Sequence, residues 1–320
     1  TTCSINEINN FGYDVFSSPT VHTCVIIVEK GGNPEALTFV RKQVLSPAEL
    51  CMEFNFSISS KFLSQGTNET IDIFADPTTR RLIDRINTNS VPFGDDFFIR
   101  QCIKTGNDDE HVKRSVVPVP PPWVSSLRGK SIGRYQTTDN ELYLNYGPWL
   151  ARNWKNKDFY ERPKIAVRET GNRITATIDL EHRYFLSSLY SIYPKTSEDQ
   201  HDLMYVLGLL NSRLATYFIK IIAFELTKGA FTKIRTNQLA RYPFRKIDFS
   251  NLQDKARHSH MVSLVSSMLS LHKQLQSAKT EQDRTIIQRQ INSTDKEIDR
   301  LVYELYELTP DEIKIVEGGE

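Results

Sequence analysis

The chain has 320 residues, of which 25% are charged and 39% hydrophobic, with a formal net charge of +1. That length can bury two cores and that composition excludes a disordered tail, while a charge near zero argues, on average, against a nucleic-acid partner. Four widely separated cysteines (Cys3, Cys24, Cys51, Cys102) exclude a zinc ribbon or a thioredoxin-type pair and predict reduced thiols in a cytoplasmic protein.

Residues 1–75 read as strands. The run 21–29, VHTCVIIVE, is nearly continuous in β-branched residues, Gly31-Gly32-Asn33-Pro34 supplies a turn, and 36–41 returns, which predicts a buried hairpin. Too little sequence precedes it to build the sheet it would join, so a region N-terminal to Thr1 is expected. A short strand is expected at 71–74, followed by a helix behind Pro77 and Thr79 that carries Leu82, Ile83 and Ile86. Phe97-Phe98-Ile99 then leads through Cys102-Ile103 into a polar turn with one cation, Lys104, and 118–122 (PVPPP) is a stiff connector. Residues 130–146 set Lys130 and Arg134 beside Tyr135, Tyr143 and Tyr146, a pattern open to either a binding face or a half-buried strand.

The net charge conceals a division along the chain. Residues 128–173 hold ten Lys or Arg against five acids and 213–246 hold eight against one, whereas 279–320 hold six against eleven. The densest part is 149–178. There Arg152, Lys155, Lys157, Arg162, Lys164, Arg168 and Arg173 face three acids, with Trp149, Trp154, Phe159 and Tyr160 among them. Cations release counterions from phosphates and planar rings stack on bases, so the stretch suits a polyanion; a solvated basic face over a strand is the alternative. Residues 164–168 and 174–178 about Thr170-Gly171-Asn172 predict a hairpin. Lys228, Lys233 and Arg235 form a second group of candidate DNA contacts.

Beyond the hairpin, 200–226 has the apolar spacing of one core helix ended by Thr227-Lys228-Gly229. Residues 231–237 read as a short basic strand or turn, and a helical turn follows that Tyr242-Pro243 stops. Met261, Val265, Met268, His272 and Leu275, then Ile287, Ile291, Thr294, Ile298, Leu301 and Leu305, give two seams and predict an antiparallel helical hairpin broken at 277–283, with Thr280 as N-cap. A last short helix begins at Thr309-Pro310. No catalytic residue emerges: no Gly-rich phosphate cradle follows a strand, no histidine pair has zinc spacing, and Glu312-Ile313-Lys314 lies in an acidic terminal helix.

Several segments resemble the TaqI-like C-terminal specificity domain of type IIG restriction-modification adenine-specific DNA methyltransferases. These are FSSPTVHTCVIIVEK at 16–30, IKTGN at 103–107, YERPKI at 160–165 with RETG at 168–171, LLNSRL at 209–214 and IDRLVYELY at 298–306. The resemblance implies an α+β architecture with three parts: residues 1–75 as the remnant of a methyltransferase sheet, 76–250 as the DNA target-recognition domain, and 251–320 as the helical hairpin. It further implies double-stranded DNA as partner. The missing N-terminal methyltransferase region of the same polypeptide would be the second partner, and S-adenosylmethionine the cofactor bound there. The Asn/Asp-Pro-Pro-Tyr/Phe motif and the cofactor loop of those enzymes do not occur in this sequence, since Pro120-Pro121-Pro122-Trp123 lacks the preceding acceptor, so the chain alone is expected to be inactive. The alternative is a specificity-subunit module that docks a modification or restriction partner through the helical hairpin.

Overall fold

The computed structural model describes residues 3–12, 23–33, 36–41, 44, 46–59, 77–196, 200–222 and 232–318. The chain divides into two compact units, Thr1–Thr88 and Asn89–Glu320.

The first unit contains β1 (Cys3–Gly12), β2 (Thr23–Lys30), β3 (Leu37–Arg41), β4 (Phe56–Ser59) and α1 (Pro77–Thr88). The four strands form one sheet in the order β2-β1-β3-β4, with β1 antiparallel to β2 and parallel to β3. The expected β2–β3 hairpin is therefore not formed, because β1 lies between the two strands. Its sequence, CSINEINNFG, hides a strand behind asparagines, and one of these anchors a neighbouring strand, since Asn9 Oδ1 accepts from Arg41 Nη1 at 2.8 Å. Nor is β2 buried. Val25 is 50% and Val28 54% exposed, so the β-branched run is an edge strand; propensity for the pleated backbone does not specify burial. Ile8, Val40 and Ile58 form the small core, and α1 buries Leu82 and Ile86 as their spacing predicts. The strand expected at 71–74 lies outside the described residues.

In the second unit β5 (Phe97–Gln101), β6 (Val112–Arg114), β7 (Trp123–Leu127), β8 (Leu142–Asn145), β9 (Lys164–Arg168), β10 (Ala176–Asp179), β11 (Tyr184–Phe185) and β12 (Leu189–Pro194) build two four-stranded sheets. One is antiparallel in the order β10-β9-β12-β5, and the other runs β11-β7-β8-β6. The predicted hairpin is present: Lys164 pairs with Asp179 and Val167 with Ala176. With neighbours on both edges, β9 is buried from Lys164 to Val167. A core of Ile103, Leu142, Leu144, Leu150, Tyr160, Tyr184 and Leu186 underlies the turns described below.

The single helix expected over 200–226 is two helices as far as Ile222, α2 (Gln200–Asn211) and α3 (Arg213–Ile222); residues 223–226 and the expected stop at Thr227-Lys228-Gly229 lie outside the described residues. The break has a local cause. Asn211 turns its amide onto the backbone of β10, donating to Ala176 O and accepting from Ala176 N at 3.0 Å each, and Ser212 Oγ accepts from Ala215 N as a new N-cap. The hairpin of α4 (Leu252–Ser277) and α5 (Glu281–Leu305) and the terminal α6 (Pro310–Glu317) follow the predicted boundaries. Thr280 caps α5 by accepting from Asp283 N at 3.0 Å, and Thr309 with Glu312 forms a capping box on α6. Met261 and Val265 of α4 lie against Gly208 of α2, where any side chain would collide with the Met261 sulfur.

Asp299 of α5 accepts from Arg213 N at 2.8 Å, and burial, reinforced by the Asp295 carboxylate, pushes its carboxyl up to about 6. The folded value lies above that of an unfolded Asp, so the folded state holds the proton more tightly. The stability from this group is complete below about pH 4 and is lost as pH rises through about 6. Asp299→Asn, which keeps an acceptor for Arg213, is expected to stabilise the chain by roughly 1–3 kcal/mol near pH 7 and much less below about pH 5. Urea melts of both proteins at the two pH values check this; equal gains at both would refute it.

Candidate nucleic-acid interface

Three turns meet above the core of the second unit. After β5 the chain bends at Gly106, whose φ of 87° places it in the left-handed region. This turn is fixed by backbone pairing of Lys104 with Arg152, at 3.0 Å in both directions, and of Ile103 with Leu186. After β7 a tight turn at Gly129–Ser131 is tied down by Gly129 N donating to Ser188 Oγ at 2.8 Å. The end of β9 and the segment 186–188 complete the walls. They enclose a cleft of about 500 Å³ lined by Thr105, Asp108, Arg128, Lys130, Arg168 and Ser188, among others.

The structure sorts the candidate cations into three groups. Lys104, Lys130, Lys155 and Arg173 are exposed; Lys130 lines the cleft, and Lys104 lies between its lining residues Ile103 and Thr105. A second group spends its donors on the protein. Arg152 donates to Cys102 O and Gln101 Oε1, Arg162 to Asp158 O, and Arg168 to Gly129 O at 2.9 Å and to Ile132 O. Lys233 is half exposed but pairs with Glu169 at 3.1 Å, brought there because Thr232–Lys233 pairs with Thr170–Gly171. Arg235 is exposed and heads the short helix Thr236–Ala240. The third group is enclosed. Lys164 is fully buried against Asp179, which leaves it no surface to offer DNA, and Arg134, mostly covered, makes a two-pronged contact with Asp295, so both charges are answered inside the protein. Lys228 lies outside the described residues.

The aromatics of the stretch divide in the same way. Trp149 is 49% exposed, whereas Tyr160 stacks on Tyr184 with centroids 4.6 Å apart and Phe159 stacks on Tyr193. Tyr135 is likewise buried, and Tyr146 sits edge-on to Tyr160 and Tyr184, so these tyrosines belong to the core. Beneath the cleft, Cys102 is buried and its thiol is pushed up to about 12 by desolvation, which leaves it without nucleophilic character. Among the described residues no group of His, Cys, Asp or Glu could hold a metal ion, and no helix is long and apolar enough to cross a membrane.

Sequence reasoning missed Arg128 and Asp108, which are joined across the cleft wall at 2.8 Å. Thr105-Gly106-Asn107-Asp108 carried a signal. Asn107 caps the single helical turn Asp108–His111, and Thr105 Oγ1 donates to Asp108, so the carboxylate is held in place.

No curated protein matches the chain. Among solved structures, that of the type IIL restriction-modification enzyme MmeI in complex with DNA is similar, with a TM-score of 0.51 and 11% identity over 99% of this chain and 45% of that one. The type IIG restriction endonuclease BpuSI gives a TM-score of 0.42 at 11% identity, over 97% of this chain and 44% of that one. The likeness to MmeI is one of fold, and this chain spans less than half the length of either enzyme. A family model matches residues 124–244, the interval that runs from β7 through β12, α2 and α3 and carries two of the three cleft walls. The family it describes is the TaqI-like C-terminal specificity domain, to which residues 124–244 are similar.

Proposed function

We propose that this chain recognises a specific sequence in double-stranded DNA and that the cleft of the second unit is its contact surface. It would position a target adenine for an N6-methyltransferase region on the same native polypeptide, and S-adenosylmethionine would bind in that region. The observation that carries this reading is the convergence of three turns, two of them within the matched specificity domain, on a cleft edged by the exposed cations Lys104 and Lys130. Exposed lysines neutralise phosphates, and a duplex laid across the cleft would meet them before it met the locked arginines. The hairpin-docking alternative draws less support. Met261, Val265 and Met268, the apolar seam that would serve a partner, are buried within the unit, with Met261 and Val265 against α2.

Fluorescence anisotropy with a randomised duplex pool at two salt concentrations tests the proposal. Binding should weaken steeply with salt, and Lys104→Ala, Lys130→Ala and Lys155→Ala should each make the log–log salt slope shallower by about 0.9. Unchanged slopes in all three variants would remove the cleft from the interface.

A further inference from the structure

The cleft wall carries one pair whose chemistry differs from that of the lysines around it. Arg128 follows directly on β7, and its Nη2 donates to Asp108 Oδ2 at 2.8 Å. The other carboxylate oxygen accepts from Thr105 Oγ1, so the arginine is oriented by an acid that is itself held. Both side chains line the cleft and remain partly open to it, Arg128 at 33% and Asp108 at 56%. Among the described residues, Asp108 is the guanidinium's hydrogen-bond partner. That bond uses one N–H and leaves the other donors of the fork available, while the carboxylate retains unused lone pairs.

Charge decides what such a pair can bind. A phosphate approaching Arg128 would meet the Asp108 carboxylate at nearly the same distance, and the repulsion would offset the attraction. An uncharged base edge meets no such opposition. Among the described residues no carboxylate of this kind stands against the exposed Lys130, two residues from Arg128, and it suits a phosphate. In the major groove a fixed guanidinium matches guanine O6 and N7, and a carboxylate accepts from the exocyclic amino group of cytosine.

We propose that Arg128 and Asp108 are the base-reading pair of this cleft, with Arg128 donating to a guanine edge and Asp108 both orienting it and accepting from a cytosine amino group. The assignment rests on the DNA-recognition reading above. It gives the cleft a division of labour in which lysines fix the duplex by its backbone and this pair fixes one G·C position of the site.

The test is selection of the 320-residue chain and its variants on a randomised duplex library, with the retained fraction sequenced and affinity measured at two salt concentrations. The native chain should enrich a motif containing a G·C position. Arg128→Ala should relax preference at that one position by about 5- to 150-fold while the remaining positions and the salt slope persist. Arg128→Lys keeps the charge but lacks the fork, so it should lose the same preference; it also serves if the alanine variant melts early. Asp108→Asn should weaken the preference and tolerate a different base. Lys130→Ala, by contrast, should lower affinity for every sequence alike and keep the motif. If both Arg128 variants retain the native motif, or lower affinity uniformly with a shallower salt slope, Arg128 is a phosphate contact or a bystander and the proposal is overturned. If the native chain selects no motif, the DNA-recognition reading fails first and the pair falls with it.

Discussion

Replacing Lys164 with alanine is expected to cost the second unit about 3–5 kcal/mol, a large share of the stability of an ordinary domain. The Lys164 ammonium donates to Asp179 Oδ2 at 2.8 Å and to the Tyr160 and Arg162 carbonyls at 2.6 and 3.3 Å. Both members of the pair are closed to solvent, with side-chain exposures of 1% and 0%. Burial alone would raise the Asp179 carboxyl, but Lys164 and Arg183 outweigh it and hold it below the usual carboxylate range. Alanine would leave that carboxylate with Arg183 alone, two carbonyls short of a donor, and a cavity between β9 and its neighbours. Urea denaturation measures the loss. Lys164→Met fills the space without answering the charge and should remain strongly destabilised, whereas Lys164→Met combined with Asp179→Asn should recover part of it. A loss below about 1 kcal/mol, accompanied by a weaker salt dependence of DNA binding, would instead make Lys164 a phosphate contact.

The second large effect is expected at Arg134. Its guanidinium grips Asp295 of α5 with two N–H groups, one of them at 2.8 Å, and donates to Asn211 O at 2.7 Å. One side chain thus joins the turn after β7, the C-terminus of α2 and the helical hairpin. Arg134→Ala should destabilise the unit by roughly 2–4 kcal/mol, because Asp295 would stay half enclosed beside Asp299 without its cation. Two readouts separate this role from DNA contact. Amide exchange should accelerate over α4 and α5, and the salt slope of DNA binding should not move. Loss of the Arg134 cation also removes one of the groups that lower the Asp299 carboxyl, so the pH dependence centred near 6 should shift upward in the variant. Faster exchange confined to the turn at 129–134 would sink the clamp.

Much of this architecture is written locally. Caps and seams act within a few residues of themselves, so Thr280 with Asp283, Thr309 with Glu312 and the apolar spacing of α4 and α5 could be read directly. The β9–β10 hairpin was legible for the same reason: its turn and both strands lie within one short stretch. Long-range choices were not. Nothing local announces that β1 inserts between β2 and β3, or that the Asn211 amide leaves its helix for the backbone of β10. The site suffered most from this limit. An arginine is written alike whether it stays exposed, as at Arg173, bonds a backbone carbonyl, as at Arg168, or grips a half-buried carboxylate, as at Arg134. The density of cations at 149–178 therefore located the region without separating contacts from struts, and Arg128 lay outside that stretch altogether.

The edge pairing of β12 with β5 has a practical corollary. Tyr190 lies opposite Gln101 and Ile192 opposite Ile99, so the last strand of the antiparallel sheet is supplied from before the matched interval 124–244. A polypeptide trimmed to that interval would present β12 as a bare hydrogen-bonding edge and α2 without the helix that covers it. Such a piece would be sticky and prone to self-association. Moving this fold onto another scaffold therefore means moving the whole of Asn89–Glu320 as a single cassette, hairpin included.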